Sequence, residues 1–220
     1  MEVTGVRCVV LGFLIALSSA ACAAQGLASA APPPPVPAVS DEARAAGLVD
    51  VRTVVPDAVI DLRYATSNNF VGVPMYPADA RCLVHESMAA GLAAAADALR
   101  PDVLTFWDCY RPHHVQVQMF EKVSDPDWVA RPGPYSRSHE AARSVDVTIA
   151  GADMGTDFDE FSPRATAYAT EGVSAAAQAN RARLREAMAA GGLSVYSGEW
   201  WHFDTDDAYV KRPILDVPVN

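Results

Sequence analysis

Residues 144–149, Ser-Val-Asp-Val-Thr-Ile, alternate polar and apolar without a break. Successive side chains of an extended strand point to opposite faces, so Val145, Val147 and Ile149 share one face and Ser144, Asp146 and Thr148 the other. The apolar face demands a core. The polar face carries a carboxylate in mid-strand, and burying one requires a cation or several hydrogen-bond donors to offset its desolvation. A sheet with a core on one side and something polar on the other is therefore expected.

The flanking sequence predicts how that sheet is built. Residues 49–55 and 58–64 are rich in β-branched side chains around Pro56-Asp57, which predicts two short strands joined by a turn. Residues 86–99 are rich in Ala and Leu with no Pro, a helix pattern. Residues 104–107 read as a buried strand, and Pro112 suits the first position of a helix reaching Lys122. A further helix over 176–190 stops at Gly191-Gly192, with Arg181, Arg183 and Arg185 on a solvated face against Leu184 and Met188. Residues 193–196 and 200–203 read as two short strands or one broken hairpin. Helices and short strands without a regular βαβ rhythm predict an α+β domain, its central sheet mainly antiparallel and flanked by helices. There is no internal repeat and no Gly-rich phosphate loop.

The N-terminal segment follows different rules. Residues 9–17 are almost wholly apolar and run into the small residues 18–24, too short for a membrane span and ending as a signal peptide ends. We read 1–24 as a signal peptide, 25–40 with its Pro32–Pro35 run as an extended linker, and 41–220 as the folded domain. A lipid anchor on Cys22 is the alternative to ordinary cleavage. The expected location is outside the cytoplasm, in the periplasm, cell wall or medium. The chain has 17 basic and 27 acidic side chains, a net charge of −10, which argues against a nucleic-acid partner. Cys82 and Cys109 remain after cleavage, an even pair for which an oxidising compartment permits a disulfide; two buried free thiols are the alternative.

Metal chemistry is suggested by His139 and Asp146, seven residues apart, and by Glu199-Trp200-Trp201-His202 further on. Two imidazoles and a carboxylate are a sound zinc set with a fourth position left for water. Glu199 and His202 would point to opposite faces of a regular strand, so both address one ion only if the chain bends there. His113 and His114 are rivals on paper, but adjacent helical residues splay by about 100° and the simpler reading is a solvated helix. His85 has no partner at ligand spacing, and Trp200 and Trp201 read as packing at the site wall.

Asp108-Cys-Tyr-Arg-Pro112, residues 139–146, Met154-Gly-Thr-Asp-Phe-Asp159 and Glu199-Trp-Trp-His202 occur in the order and spacing of the D-alanyl-D-alanine dipeptidases of the VanX type, and residues 64–72 are similar to their N-terminal motif. The chain resembles these zinc peptidases over nearly all of 45–220. The resemblance implies one Zn2+ in a cleft, held by His139, Asp146 and His202. It implies Glu199 as general base, Arg111 as stabiliser of the developing oxyanion and Asp159 as the group holding the free amine of a small dipeptide. Zinc lowers the pKa of bound water to about 7, a carboxylate off the metal shuttles the proton, and losing one oxyanion donor typically slows turnover about 100- to 1000-fold.

Three positions depart from the family pattern. Ala142 and Ser144 stand where Gly and Ala are usual; a Gly there serves a close backbone approach or a positive φ, so Ala142 is expected to tighten or strain the loop. Arg137 replaces a Ser that contacts substrate, leaving Ser138 as the neighbouring candidate. Two other readings stand beside the dipeptidase: a D,D-carboxypeptidase or peptidoglycan endopeptidase, and a zinc-binding module without catalysis. Asp159 favours the dipeptidase because it blocks longer chains, and retention of Glu199 and Arg111 speaks against the non-catalytic module. Export implies work on dipeptides freed in wall turnover rather than vancomycin resistance, since the cytoplasmic precursor pool would be out of reach.

Overall fold

The computed structural model describes Met1 and residues 35–220; residues 2–24 of the expected signal segment, with Cys22, and residues 25–34 of the expected linker lie outside the described residues. Its elements are α1 (Asp41–Ala45), β1 (Leu48–Asp50), β2 (Val59–Ile60), β3 (Leu83–His85), α2 (Ala89–Leu99), β4 (Leu104–Asp108), α3 (His113–Lys122), β5 (Ser144–Ile149), α4 (Ala175–Ala190), β6 (Ser194–Val195) and β7 (His202–Asp204). Among the described residues no helix is long and apolar enough to cross a membrane.

β5, the alternating segment, is the middle strand of a five-stranded sheet ordered β2-β4-β5-β7-β6. β2 runs parallel to β4 and the other neighbours are antiparallel. β1 and β3 form a separate antiparallel pair. This is the mainly antiparallel α+β architecture expected. Val145, Val147 and Ile149 enter the main core with Leu104, Phe106, Leu184 and Met188. The polar face is buried as well, because every residue of β5 is covered.

Helix α4 begins where Ser174 Oγ accepts from Ala177 N at 3.1 Å, satisfying a donor the helix itself cannot. Its C-terminal end meets α2 so closely that a Cβ on Gly91 or Gly191 would strike the other's carbonyl oxygen. Here glycine serves close backbone approach.

Three expectations are corrected. The strands foreseen over 49–55 and 58–64 shrink to β1 and β2, which pair with β3 and β4 rather than with each other. The cause is local: Asp50 Oδ1 accepts from Arg52 N at 2.8 Å and turns the chain into a 3-10 helix over Val51–Thr53. Pro112 sits just before α3 as its cap, one residue earlier than foreseen. Arg181 is not on a solvated face: it is 1% exposed, whereas Arg183 is exposed and Arg185 half-buried.

Cys82 and Cys109 are joined in a disulfide. It links the start of β3 to the end of β4, where Tyr110 N also donates to Leu83 O at 2.8 Å. The segment leading to Arg111 is thereby held twice.

Candidate metal centre

Sheet register builds most of the site. Asp108 on β4 pairs with Asp146 on β5, and Asp146 pairs with His202 on β7, so three polar side chains line one row across three strands. His139 arrives from the 3-10 turn Ser138–Ala141 that feeds β5. That turn closes through Ala142 at φ 55°, ψ 33°, a left-handed position with a buried side chain. The strain expected at this Ala is present, at about 1–3 kcal/mol for a non-Gly residue so held.

The donor atoms converge. His139 Nε2 lies 3.2 Å from Asp146 Oδ1 and 3.0 Å from His202 Nδ1, which is 3.0 Å from the same Asp146 oxygen. The far nitrogen of each ring is already engaged. His139 Nδ1 donates to the Cys109 carbonyl at 2.8 Å, and His202 Nε2 donates to Asp204 Oδ1 at 2.9 Å. A carbonyl and a carboxylate only accept, so those nitrogens carry the protons and the inner nitrogens of neutral rings present lone pairs. Two lone pairs and a carboxylate oxygen facing each other at about 3 Å require a cation among them. These three form the group of His, Cys, Asp or Glu side chains found among the described residues that could hold a metal ion.

The supports of that cluster include residues the sequence reading passed over. Asp204 accepts from Ser144 Oγ at 2.5 Å, and Ser138 Oγ donates to Ser144 Oγ at 3.0 Å and lies 3.3 Å from His202 Nε2. The Ser138 hydroxyl is thus turned toward His202's partners. A signal was present: Asp204 stands two residues after His202, on the same face of a strand. Asp204→Asn is expected to weaken zinc binding by about 10- to 100-fold, measured by chelator competition, because the carboxylate fixes the ring and raises its basicity. Unchanged affinity would deny Asp204 that part.

Arg111 is held as firmly. Its Nε and Nη2 donate to Asp108 Oδ2 at 2.9 and 2.7 Å, and its Nη1 donates to Gln116 Oε1 at 2.7 Å. Tyr76 Oη donates to the other Asp108 oxygen at 2.6 Å. Nη2 remains 3.9 Å from Asp146 Oδ2, so the guanidinium faces the metal cluster. Burial opposes its charge, but Asp108 and its neighbours raise the pKa well above the usual arginine value.

Glu199 lies in the irregular stretch before β7, which supplies the bend both residues needed. Its Oε2 is 3.8 Å from His202 Nδ1, near the cluster but outside it. Burial, reinforced by the Asp146 charge against the opposing pull of His202, pushes its pKa up to about 7. Burial also works against ionisation of Asp146, and positive charge at this point of the site is what holds its carboxylate well below the usual range. Asp159 is raised well above its ordinary value, first by burial, although Tyr64 Oη donates to its Oδ2 at 2.9 Å. A cavity of about 350 Å³ brings Arg111, Ser138, His139, Asp146, Asp159, Glu199 and His202 onto one wall system.

Of the remaining histidines, His113 Nδ1 bonds Glu140 Oε1 at 2.5 Å, His114 is exposed, and His85 accepts from Ser87 N at 3.1 Å. None joins the cluster. Trp200 and Trp201 are buried and stack edge to face at 5.3 Å, as packing residues do.

Fold and site together define a hydrolase with a single-metal centre of two imidazoles and one carboxylate, with a glutamate beside it. The profile described as D-ala-D-ala dipeptidase, of peptidase family M15, matches residues 44–220, and the chain belongs to that family. A D-alanyl-D-alanine dipeptidase of Escherichia coli (strain K12) is 34% identical over 175 residues, covering 76% of this chain and 89% of the relative. One from Streptomyces coelicolor is 31% identical, covering 72% and 91%, and one from Enterococcus faecium is 28% identical, covering 73% and 92%. A vancomycin-resistance D,D-pentapeptidase solved with Zn(II) aligns over 59% of this chain and 82% of its own at 16% identity, with a TM-score of 0.39.

Proposed function

We propose that this protein is a zinc dipeptidase that hydrolyses D-Ala-D-Ala-type dipeptides outside the cytoplasm, in the turnover of cell-wall peptides. The observation that carries the metal is the convergence of two imidazole lone pairs on one carboxylate oxygen. His139, Asp146 and His202 would hold the ion. Zinc supplies a Lewis acid that polarises a carbonyl and brings the pKa of a water to about 7.

The chain's own groups account for the other steps. Glu199 takes the proton of the attacking water and returns it to the leaving amine, a task suited to a carboxylate poised at about 7. Arg111, immobilised by Asp108 and Gln116, meets the negative charge that develops on the carbonyl oxygen. Asp159 with Tyr64 receives the substrate ammonium, whose charge favours the ionised carboxylate that burial alone disfavours. A carboxylate at that end leaves no room for a longer acyl chain. Location outside the cytoplasm is supported by the apolar, small-residue N-terminus and the disulfide.

Zinc-loaded protein is expected to hydrolyse free D-Ala-D-Ala and to leave a muropeptide pentapeptide intact. Release of D-Ala from the pentapeptide alone would turn the reading to a carboxypeptidase, and no turnover of either would leave a zinc-binding module.

A further inference from the structure

Arg181 is a charged side chain in the interior that the chemistry above does not use. It is 1% exposed, and no Asp or Glu lies within ion-pair distance among the described residues. A buried cation without a counter-charge is unfavourable, so its donors must satisfy other groups. Burial, with Arg185 adding to it, lowers its pKa to about 10, and it stays charged at neutral pH.

Its donors reach two segments of the active site. Nε donates to Met154 O at 2.7 Å, and Nη2 reaches Thr156 Oγ1 at 3.4 Å, both on the loop that ends in Asp159. Gly155, between them at φ +82°, lies so near α4 that a Cβ would sit 3.0 Å from Ala177 and Val173. Nη1 donates to Arg164 O at 2.8 Å and Thr166 O at 3.3 Å. Ala165, between those two, accepts from Trp200 N at 3.0 Å, the residue next to Glu199. Trp200 closes the circuit: its Nε1 donates to Thr156 Oγ1 at 2.7 Å, and the guanidinium lies 5.3 Å from its ring.

We propose that Arg181 is a positioning residue that clamps the loop carrying Asp159 to the segment carrying Glu199, and so sets the distance between the amine-binding carboxylate and the general base. The role deepens the dipeptidase reading and rests on it for its substrate. The planar fork matters, because a lysine at this position offers charge but not four divergent donors. Misplacement of such groups by about 1 Å is enough to cost about 100-fold in kcat/KM.

The test uses zinc-loaded Arg181→Lys and, as a milder variant that keeps the helix and its charge, Thr156→Val. In hydrogen exchange, amides of 154–159 and 197–201 are expected to exchange faster in both variants while those of β4 and β5 keep the parent's rates. Zinc affinity is expected to stay unchanged. With dipeptide, both variants should lose the parent's preference for a free over an N-acetylated amino end, with KM raised more than kcat is lowered. Uniformly faster exchange, or none, overturns the clamp. A parent with the amine preference and variants that keep it also overturn the clamp. A parent without that preference overturns the dipeptidase reading of Asp159, and the exchange pattern still decides whether Arg181 joins the two segments.

Discussion

Glu199→Ala is expected to bind zinc with the parent's affinity and to hydrolyse dipeptide about 1000-fold more slowly, within the span general acid–base catalysis contributes. The geometry separates the two properties. The three donor atoms meet at 3.0–3.2 Å without Glu199, whose Oε2 stands 3.8 Å from His202 Nδ1. Removing its carboxylate takes away a proton acceptor and leaves the cluster and its supports intact. The pH profile follows in sign. A general base works when ionised, so kcat/KM rises as pH climbs through its pKa. Burial places that at about 7 in the protein alone, and a cation in the cluster draws it lower, so the acid limb falls at or below neutrality. Equal turnover by parent and variant would remove Glu199 from the mechanism, and loss of zinc with turnover would make it a ligand.

Asp146→Asn is expected to abolish zinc binding and turnover together, and its thermodynamics offer a reading independent of activity. Held by these three residues, zinc would bind the folded cluster and not the unfolded chain. It therefore raises stability by about 4 kcal/mol when free zinc is 1000 times Kd, and a chelator reverses this. An amide cannot match the carboxylate's charge between two imidazole lone pairs, so in Asp146→Asn the unfolding midpoint should no longer respond to zinc. His139→Ala should behave alike. A variant at either position that keeps its zinc-dependent midpoint would place the ion elsewhere.

The site was legible in unequal parts. His139, Asp146 and His202 could be picked as a donor set from residue type and from a carboxylate stranded in mid-strand. Asp159, Arg111 and Glu199 came from the order of the motif blocks, since nothing about a lone acid or arginine states its task. Asp204 and Asp108 carry no mark in one dimension, because each matters only through the residue it orients. Arg181 differs in burial from the solvated face expected for it, because arginines two residues apart on a helix look alike in one dimension. Only the loop folded over α4 makes one of them interior.

The sequence alone determined the elements whose cause is local: the alternation that makes β5 and the Ala- and Leu-rich pattern of α2. Tertiary structure decided which strand lies beside which. Registry of β4, β5 and β7 sets Asp108, Asp146 and His202 in one row, and the Arg181 donors bring Met154, Arg164 and Thr166 within reach of one side chain. Such placements depend on which surfaces bury each other and which buried polar groups find partners, and both are settled between segments far apart in the chain.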